Sequence, residues 1–219
     1  QVGGLGAAID LGMLPAGKGY TIFGDDVGDH AGQSVSNAGD INKDGYDDFL
    51  IGAPDGDSVG NGRPNDGEAY VVYGKASGLA DIDLATMTAA QGFRLYGHDG
   101  DRTAISVSAA GDVNGDSIAD IIIGAPASVF PGPPADIAGQ SYVVFGKAGG
   151  FTDIDLATLV PGGKNDANGF IIHSASKGPA ASGGAVSAAG DVNGDGFDDV
   201  IVANPGAAKA YVIFGHGGA

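Results

Sequence analysis

Hydrophobic and polar positions along the chain fall into short segments of a few recurring kinds. One alternates large side chains with small or polar ones, as in Gly19-Tyr20-Thr21-Ile22-Phe23-Gly24, Gly92-Phe93-Arg94-Leu95-Tyr96-Gly97 and Gly169-Phe170-Ile171-Ile172-His173-Ser174. A period of two predicts strands. A second kind is a continuous apolar run, Phe49-Leu50-Ile51-Gly52, Ile121-Ile122-Ile123-Gly124 and Val200-Ile201-Val202-Ala203. These runs are β-branched and too short for helices, so they predict buried strands. A third, Ala69-Tyr70-Val71-Val72-Tyr73-Gly74 with its counterparts Ser141–Gly146 and Ala210–Gly215, also reads as strand. Between the first and second kinds lie small-residue segments, Ser34–Gly39, Ser106–Gly111 and Ala185–Gly190, suited to a crowded centre. The only helical signals are the Asp-Leu pieces beginning at Asp10, Asp83 and Asp155, where Asp caps a single turn and the piece serves as a connector.

These segments return in the same order three times, in repeats of approximately 8–80, 81–152 and 153–219 within a single domain, 1–219. Four short strands per repeat, joined by Gly-rich turns, predict an all-β fold: a β-propeller of four-stranded antiparallel blades, three per chain. A repeat of two helices is excluded.

Composition narrows the function. At 43% hydrophobic the 219-residue chain buries a real core, and 42 glycines imply many turns. A charge of −17, from 27 acidic against 10 basic residues, disfavours nucleic acid and anionic membranes. No run of 18 apolar residues offers a membrane span. The first residue, Gln1, follows no charged-then-apolar leader, as expected of a mature or excised segment. The absence of cysteine removes disulfides, thiolate metal sites and cysteine nucleophiles.

The chemistry concentrates in three acidic loops at fixed register. They run Asp40-Ile41-Asn42-Lys43-Asp44-Gly45-Tyr46-Asp47-Asp48, Asp112-Val113-Asn114-Gly115-Asp116-Ser117-Ile118-Ala119-Asp120 and Asp191-Val192-Asn193-Gly194-Asp195-Gly196-Phe197-Asp198-Asp199. The pattern is D-x-N-x-D-x-x-x-D. Side-chain oxygens at positions 1, 3 and 5 converge, the backbone carbonyl at position 7 (Tyr46, Ile118, Phe197) joins them, and the Asp at position 9 closes the shell. This hard-oxygen set suits Ca²⁺, three per chain, better than Mg²⁺, which keeps several waters. Gly45 and Gly196 ease the sharp turn at position 6, whereas Ser117 makes a positive φ costlier and weakens the middle site. An EF-hand is excluded because position 12 is Ile51, Ile123 or Val202 rather than Glu, with strands on both sides. Ordinary Asp/Asn/Gly turns would not require three copies with three or four carboxylates each, whose mutual repulsion only Lys43, in the first loop, relieves.

The other polar residues read plainly. His30, His98, His173 and His216 show no zinc spacing, and Asp25, Asp26, Asp29, Asp99 and Asp101 read as turn-solvating acids. No G-x-S-x-G elbow or phosphate-binding G-x-x-x-x-G-K-[ST] occurs. The unequal loops Asp55–Gly67 and Ala127–Gly139 are where a repeat protein places partner contacts, or are spacers.

On these residues the chain resembles the FG-GAP repeats, which build the β-propeller of integrin α-subunits and occur in many bacterial secreted and surface proteins. The naming motifs are Tyr73-Gly74, Phe145-Gly146 and Phe214-Gly215, with Gly52-Ala53-Pro54 and Gly124-Ala125-Pro126; the third repeat departs as Ala203-Asn204-Pro205. The resemblance implies Ca²⁺ at Asp40, Asn42, Asp44, Tyr46 and Asp48 and at the matching residues of the other loops. It also implies that each acidic loop joins the first and second strands of a blade. The Gly19–Gly24 strand is then spare, and the third blade lacks a fourth strand. The expectation is a homodimer of six blades closed by edge-strand exchange, with a segment cut from a longer array, its neighbours missing, as the competing reading. The function expected is a calcium-binding, non-catalytic binding or adhesion module, extracellular or at the cell surface, with a protein or glycan ligand. The alternative is part of a secreted enzyme acting on polysaccharide or phosphodiester substrates.

Overall fold

A computed structural model describes residues 10–14, 17–57, 66–78, 80–97, 102–126, 138–159, 166–177 and 182–217. Its strands are β1 (Ile22–Phe23), β2 (Ser34–Gly39), β3 (Asp48–Ala53), β4 (Glu68–Val72), β5 (Ile82–Asp83), β6 (Gly92–Tyr96) and β7 (Ser106–Gly111). They continue as β8 (Asp120–Ala125), β9 (Ala138–Val144), β10 (Ile154–Asp155), β11 (Gly169–Lys177), β12 (Val186–Gly190), β13 (Asp199–Asn204) and β14 (Lys209–Ile213). Only 3-10 turns, and no α-helix, accompany them among the described residues.

The sheets are antiparallel blades in the order β2-β3-β4-β6, β7-β8-β9-β11 and β12-β13-β14. Each begins on a small-residue strand and, where complete, ends on the alternating strand of the next sequence repeat. Sheet and repeat are thus offset by one strand, as the resemblance implies. The third blade has no fourth strand among the described residues, while β1 stands outside all three.

Small side chains on the innermost strands let neighbouring blades approach. Ser34 Oγ accepts from Val107 N at 3.0 Å, and Ser106 Oγ accepts from Val186 N at 3.1 Å. The glycines of the Gly-Ala-Pro motifs serve the same approach. A Cβ on Gly52 would lie 2.2 Å from Ala104 O, and one on Gly124 would lie 2.1 Å from Gly183 O.

Apolar residues fill the spaces between blades. Leu50, Val71, Phe93 and Leu95 of the first blade share one core with Ile121, Ile123 and Tyr142 of the second, and Phe93 stacks on Phe151 at 4.5 Å. Ile122 and Val143 share the next core with Val200 and Val202 of the third. Both faces of the middle strands are covered, which explains their continuous apolar runs.

The Asp-Leu-Ala-Thr connectors form the single turns expected, Leu84–Thr86 and Leu156–Thr158, capped by Asp83 and Asp155. They also do something the sequence pattern does not announce. Each reaches back to the preceding alternating strand and pairs with it in parallel, β10 on β6, the fourth strand of the first blade, and β5 on β1. Asp153 Oδ1 accepts from Arg94 N at 2.8 Å, and Asp81 Oδ1 accepts from Thr21 N at 2.7 Å. The connector is therefore a strap between blades, locked by its buried Leu84 or Leu156.

Candidate metal sites

The three acidic loops link first to second strands, β2–β3, β7–β8 and β12–β13, so all three lie along one rim of the array. Their internal hydrogen bonds repeat nearly atom for atom. In the first loop Asp44 N donates to Asp40 Oδ1 at 2.9 Å and to Asn42 Oδ1 at 2.8 Å, so one N–H gathers the oxygens of positions 1 and 3. Gly45 N donates to Asp40 Oδ2 at 2.8 Å, and Tyr46 N donates to Asp44 Oδ1 at 3.0 Å. The second loop repeats this through Asp112, Asn114, Asp116, Ser117 and Ile118, and the third through Asp191, Asn193, Asp195, Gly196 and Phe197.

Position 9 is the hinge between site and fold. Asp48 takes N–H groups from Ile41 and Gly74, Asp120 from Val113 and Gly146, and Asp199 from Val192 and Gly215. The second donor is each time the glycine of the Tyr/Phe-Gly motif. A Cβ on Gly74, Gly146 or Gly215 would lie 2.2, 2.3 or 2.4 Å from the carbonyl oxygen at position 8 of the loop. The motif glycine is required by that close approach, which plants the loop on the end of the blade's third strand.

Backbone strain marks the turn. Positions 4 and 6 are left-handed in every loop: Lys43 and Gly45 at φ 60° and 92°, Gly115 and Ser117 at 78° and 64°, Gly194 and Gly196 at 76° and 93°. Ser117 holds the positive φ expected of it, and Lys43 bears the same burden in the first loop.

Loops also touch across blades. Asp198 Oδ2 accepts from Asp112 N at 2.8 Å, and Lys147 N donates to Ile41 O at 3.0 Å. Burial raises the Asp48 carboxyl to about 6, against the two N–H bonds, with the charges of Asp44 and Asp40 adding to the rise. Burial likewise raises Asp120 to about 7, opposed by its two N–H bonds, with Asp116 and Asp112 adding. Asp191, fully exposed, is lowered by N–H bonds from its own loop. Among the described residues no three Asp, Glu or His side chains form a ready-made cage. The carboxylates instead spend lone pairs on the backbone, leaving the others for an ion. Asp/Asn/Asp oxygens in one Asx-turned loop, with a buried acid behind them, are a donor set that fits Ca²⁺.

Of the other polar residues, His30 pairs with Asp55 at 2.8 Å, and Arg102 of the next blade reaches the same carboxylate at 2.9 Å. His98, Asp99, Asp101 and most of the two long loops lie outside the described residues. Glu68, which no motif in the sequence marks, is 1% exposed. Its Oε2 accepts from Tyr70 Oη, and its Oε1 has no hydrogen-bond partner among the described residues. Burial raises this carboxyl to about 7, although the Tyr70 bond and the Arg94 charge lower it. A folded-state value above the ordinary one means stability falls as pH rises from about 4.5 through about 7, by roughly 3 kcal/mol in all. Gln140 holds the same place in the second repeat. Glu68→Gln is expected to match the wild type near pH 4.5 and exceed its melting temperature by pH 8; parallel melts across that range decide.

A family model for the FG-GAP repeat matches residues 31–72, 104–144 and 182–218. The chain belongs to the FG-GAP repeat family. The three matches begin just before the innermost strand of each blade and take in each acidic loop. Among relatives, this FG-GAP chain is 35% identical over 111 residues to integrin alpha pat-2 of Caenorhabditis briggsae, covering 50% of the chain and 8% of the relative. It is 31% identical over 186 residues to integrin alpha-5 of Xenopus laevis, covering 84% and 15%. It is 29% identical over 171 residues to phosphatidylinositol-glycan-specific phospholipase D of Bos taurus, covering 76% and 18%. The chain thus spans less than a fifth of the length of these relatives. No helix among the described residues is long and apolar enough to cross a membrane.

Proposed function

We propose that this FG-GAP array is a calcium-stabilised, non-catalytic recognition module working outside the cell or at its surface, with a protein or glycan partner. The observation that carries the reading is the threefold recurrence of one hydrogen-bonded donor set on one rim. Asp40, Asn42, Asp44 and Asp48, with the Tyr46 carbonyl, would hold the first ion. Asp112, Asn114, Asp116, Asp120 and the Ile118 carbonyl would hold the second, and Asp191, Asn193, Asp195, Asp199 and the Phe197 carbonyl the third. When bound, calcium supplies charge neutralisation and cross-links the loop; it carries out no reaction. The resemblance to integrin α-subunits supports the adhesive reading, and millimolar extracellular calcium supports the location, because loops of this class saturate there. Two chains make the closed ring.

Isothermal titration with Ca²⁺ is the test. Three ions per chain are expected, the third tightest because both its left-handed positions are glycine while Lys43 and Ser117 carry that strain in the first and middle loops, and Ser117→Gly is expected to tighten the middle site severalfold by removing a left-handed Ser that costs about 1 kcal/mol. No heat of binding would overturn the reading. The match to a phospholipase D favours a second reading, part of a secreted enzyme acting on phosphodiesters or polysaccharide. Turnover of such a substrate by the chain, abolished by a substitution outside the acidic loops, distinguishes it.

A further inference from the structure

Position 3 of each acidic loop is asparagine, but the residue after it differs. The first loop reads Asn42-Lys43, whereas the second and third read Asn114-Gly115 and Asn193-Gly194. The difference is chemical. The carboxamide carbon of asparagine is an electrophile, and attack on it by the backbone nitrogen of the next residue closes a succinimide ring. Glycine has no Cβ and leaves that nitrogen open to the approach, whereas the side chain of Lys43 crowds it.

The folded loops both poise this reaction and block it. Asn114 Oδ1 accepts from Asp116 N at 2.9 Å, and its Nδ2 donates to Asp116 Oδ2 at 3.1 Å. Asn193 Oδ1 accepts from Asp195 N at 2.9 Å, and its Nδ2 donates to Asp195 Oδ2 at 2.7 Å. Each carboxamide therefore reaches across the glycine whose nitrogen would attack it. That nitrogen is occupied: Gly115 N donates to Asp112 Oδ1 at 2.7 Å, and Gly194 N donates to Asp191 Oδ1 at 2.6 Å. Attack requires the N–H proton to leave and the carboxamide to turn, and a carboxylate holding that proton disfavours an amide anion beside it. Gly115 and Gly194 are themselves exposed, so water reaches any ring that forms.

We infer that Asn114 and Asn193 are sites of spontaneous deamidation, released when their loops are without calcium, and that Asn42 is spared. The gating rests on the calcium reading above; the reactivity of the two Asn-Gly steps does not. The glycine nitrogen bonds to the asparagine Cγ, its proton departs with the amide nitrogen as ammonia, and the succinimide remains. Water then opens the ring. Addition at Cγ gives aspartate, whereas addition at the asparagine backbone carbonyl gives isoaspartate, with the main chain rerouted through Cγ. Neither product needs an oxidant or a cofactor. Isoaspartate inserts a methylene into the main chain between Asp112 and Asp116, so Asp116 N no longer gathers the oxygens of positions 1 and 3. Loss of calcium from the second or third loop thereby becomes permanent, while the first loop stays reloadable. Because the reaction runs through an opened loop, a bound ion slows it by the factor 1 + [Ca²⁺]/Kd, about a hundredfold at a hundredfold excess.

The full 219-residue chain is incubated at pH 8 in calcium, in EDTA and in urea, and each asparagine is followed by peptide mapping with mass spectrometry. The other Asn-Gly steps, Asn61-Gly62 and Asn168-Gly169, are read in the same maps. In EDTA, Asn114 and Asn193 are expected to convert to aspartate and isoaspartate while Asn42 persists, and calcium in hundredfold excess is expected to slow both about a hundredfold. Changing the following residue should move the site. Lys43→Gly, at a position already left-handed, is expected to make Asn42 reactive. Gly194→Lys, where an added Cβ meets nothing within 4 Å and where the first loop already carries Lys, is expected to spare Asn193. Asn42 reacting as fast as Asn114 in the wild type overturns the selectivity, and no reaction even in urea overturns the sites. Reaction in urea but not in EDTA overturns the gating, because the hydrogen bonds alone then guard the loops. Equal rates in calcium and EDTA also overturn the gating; the calcium reading survives that result if titration gives a heat of binding and falls with it if none appears.

Discussion

Chelating calcium is expected to lower the melting temperature of the chain by roughly 15–30 °C. At a hundredfold excess over its dissociation constant, a bound ion stabilises by about 2.7 kcal/mol, so three sites contribute roughly 8 kcal/mol. For a domain of this size each kcal/mol moves the midpoint by roughly 2–4 °C. The effect also has a direction in pH. In the metal-free chain Asp48 and Asp120 are raised to about 6 and about 7. Their folded values exceed the ordinary 3.8, so the metal-free fold binds extra protons and loses stability as pH rises from about 4 through 7. Calcium at the proposed sites would require both groups ionised and hold them so. The gap between calcium-loaded and chelated melts should therefore widen from pH 5.5 to pH 8. Scanning calorimetry with calcium and with EDTA at both pH values reads it directly. Identical melts at pH 8 would remove the metal from the account of this fold.

Asp120→Ala is expected to destabilise the chain whether or not calcium is present, and this separates its two roles. Asp120 is fully buried and accepts from Val113 N at 2.8 Å and Gly146 N at 2.7 Å. Removing the carboxylate orphans two N–H groups, at roughly 1–3 kcal/mol each, before any ion is counted. Asp116→Ala is the contrast. Asp116 is exposed, and its Oδ1 accepts from Ile118 N within the loop. Its loss would remove a proposed ligand while leaving the blade intact. Urea unfolding in EDTA should show a loss of roughly 2–6 kcal/mol for Asp120→Ala and under about 1 kcal/mol for Asp116→Ala. In calcium both variants should also lose the contribution of one ion. A small effect of Asp120→Ala in EDTA would mean that Val113 and Gly146 find other partners.

The acidic loops were legible because their chemistry is local. Nine residues in sequence place Asp40, Asn42 and Asp44 around one N–H, and no distant element is needed to bring them together. The positive φ of Ser117 was equally readable, since Gly stands at that register in the other two loops. The role of Glu68 was not readable. It sits in a strand of ordinary alternation, and its burial depends on Tyr70 and on loop residues such as Gly56 folding over it. The straps escaped for a related reason. Asp153 and Ile154 look like connector residues until β6 lies beside them, and that pairing crosses from one blade to its neighbour.

By itself the sequence determined the strands, their count per repeat, the acidic loops and the small-residue centre, because period, β-branching and Asx-turn chemistry act over a few residues. The one-strand offset between sheet and repeat was implied by the resemblance to the FG-GAP repeats rather than by the pattern along the chain. The tertiary structure decided which residues close the gaps between blades. Gly52 and Gly124 are glycines because a carbonyl oxygen of the next blade lies about 2 Å from where a Cβ would be, and Gly74 and Gly146 are glycines because of the loop carbonyl at position 8. Such constraints are distances between segments far apart in the chain, and they exist only once the blades are packed.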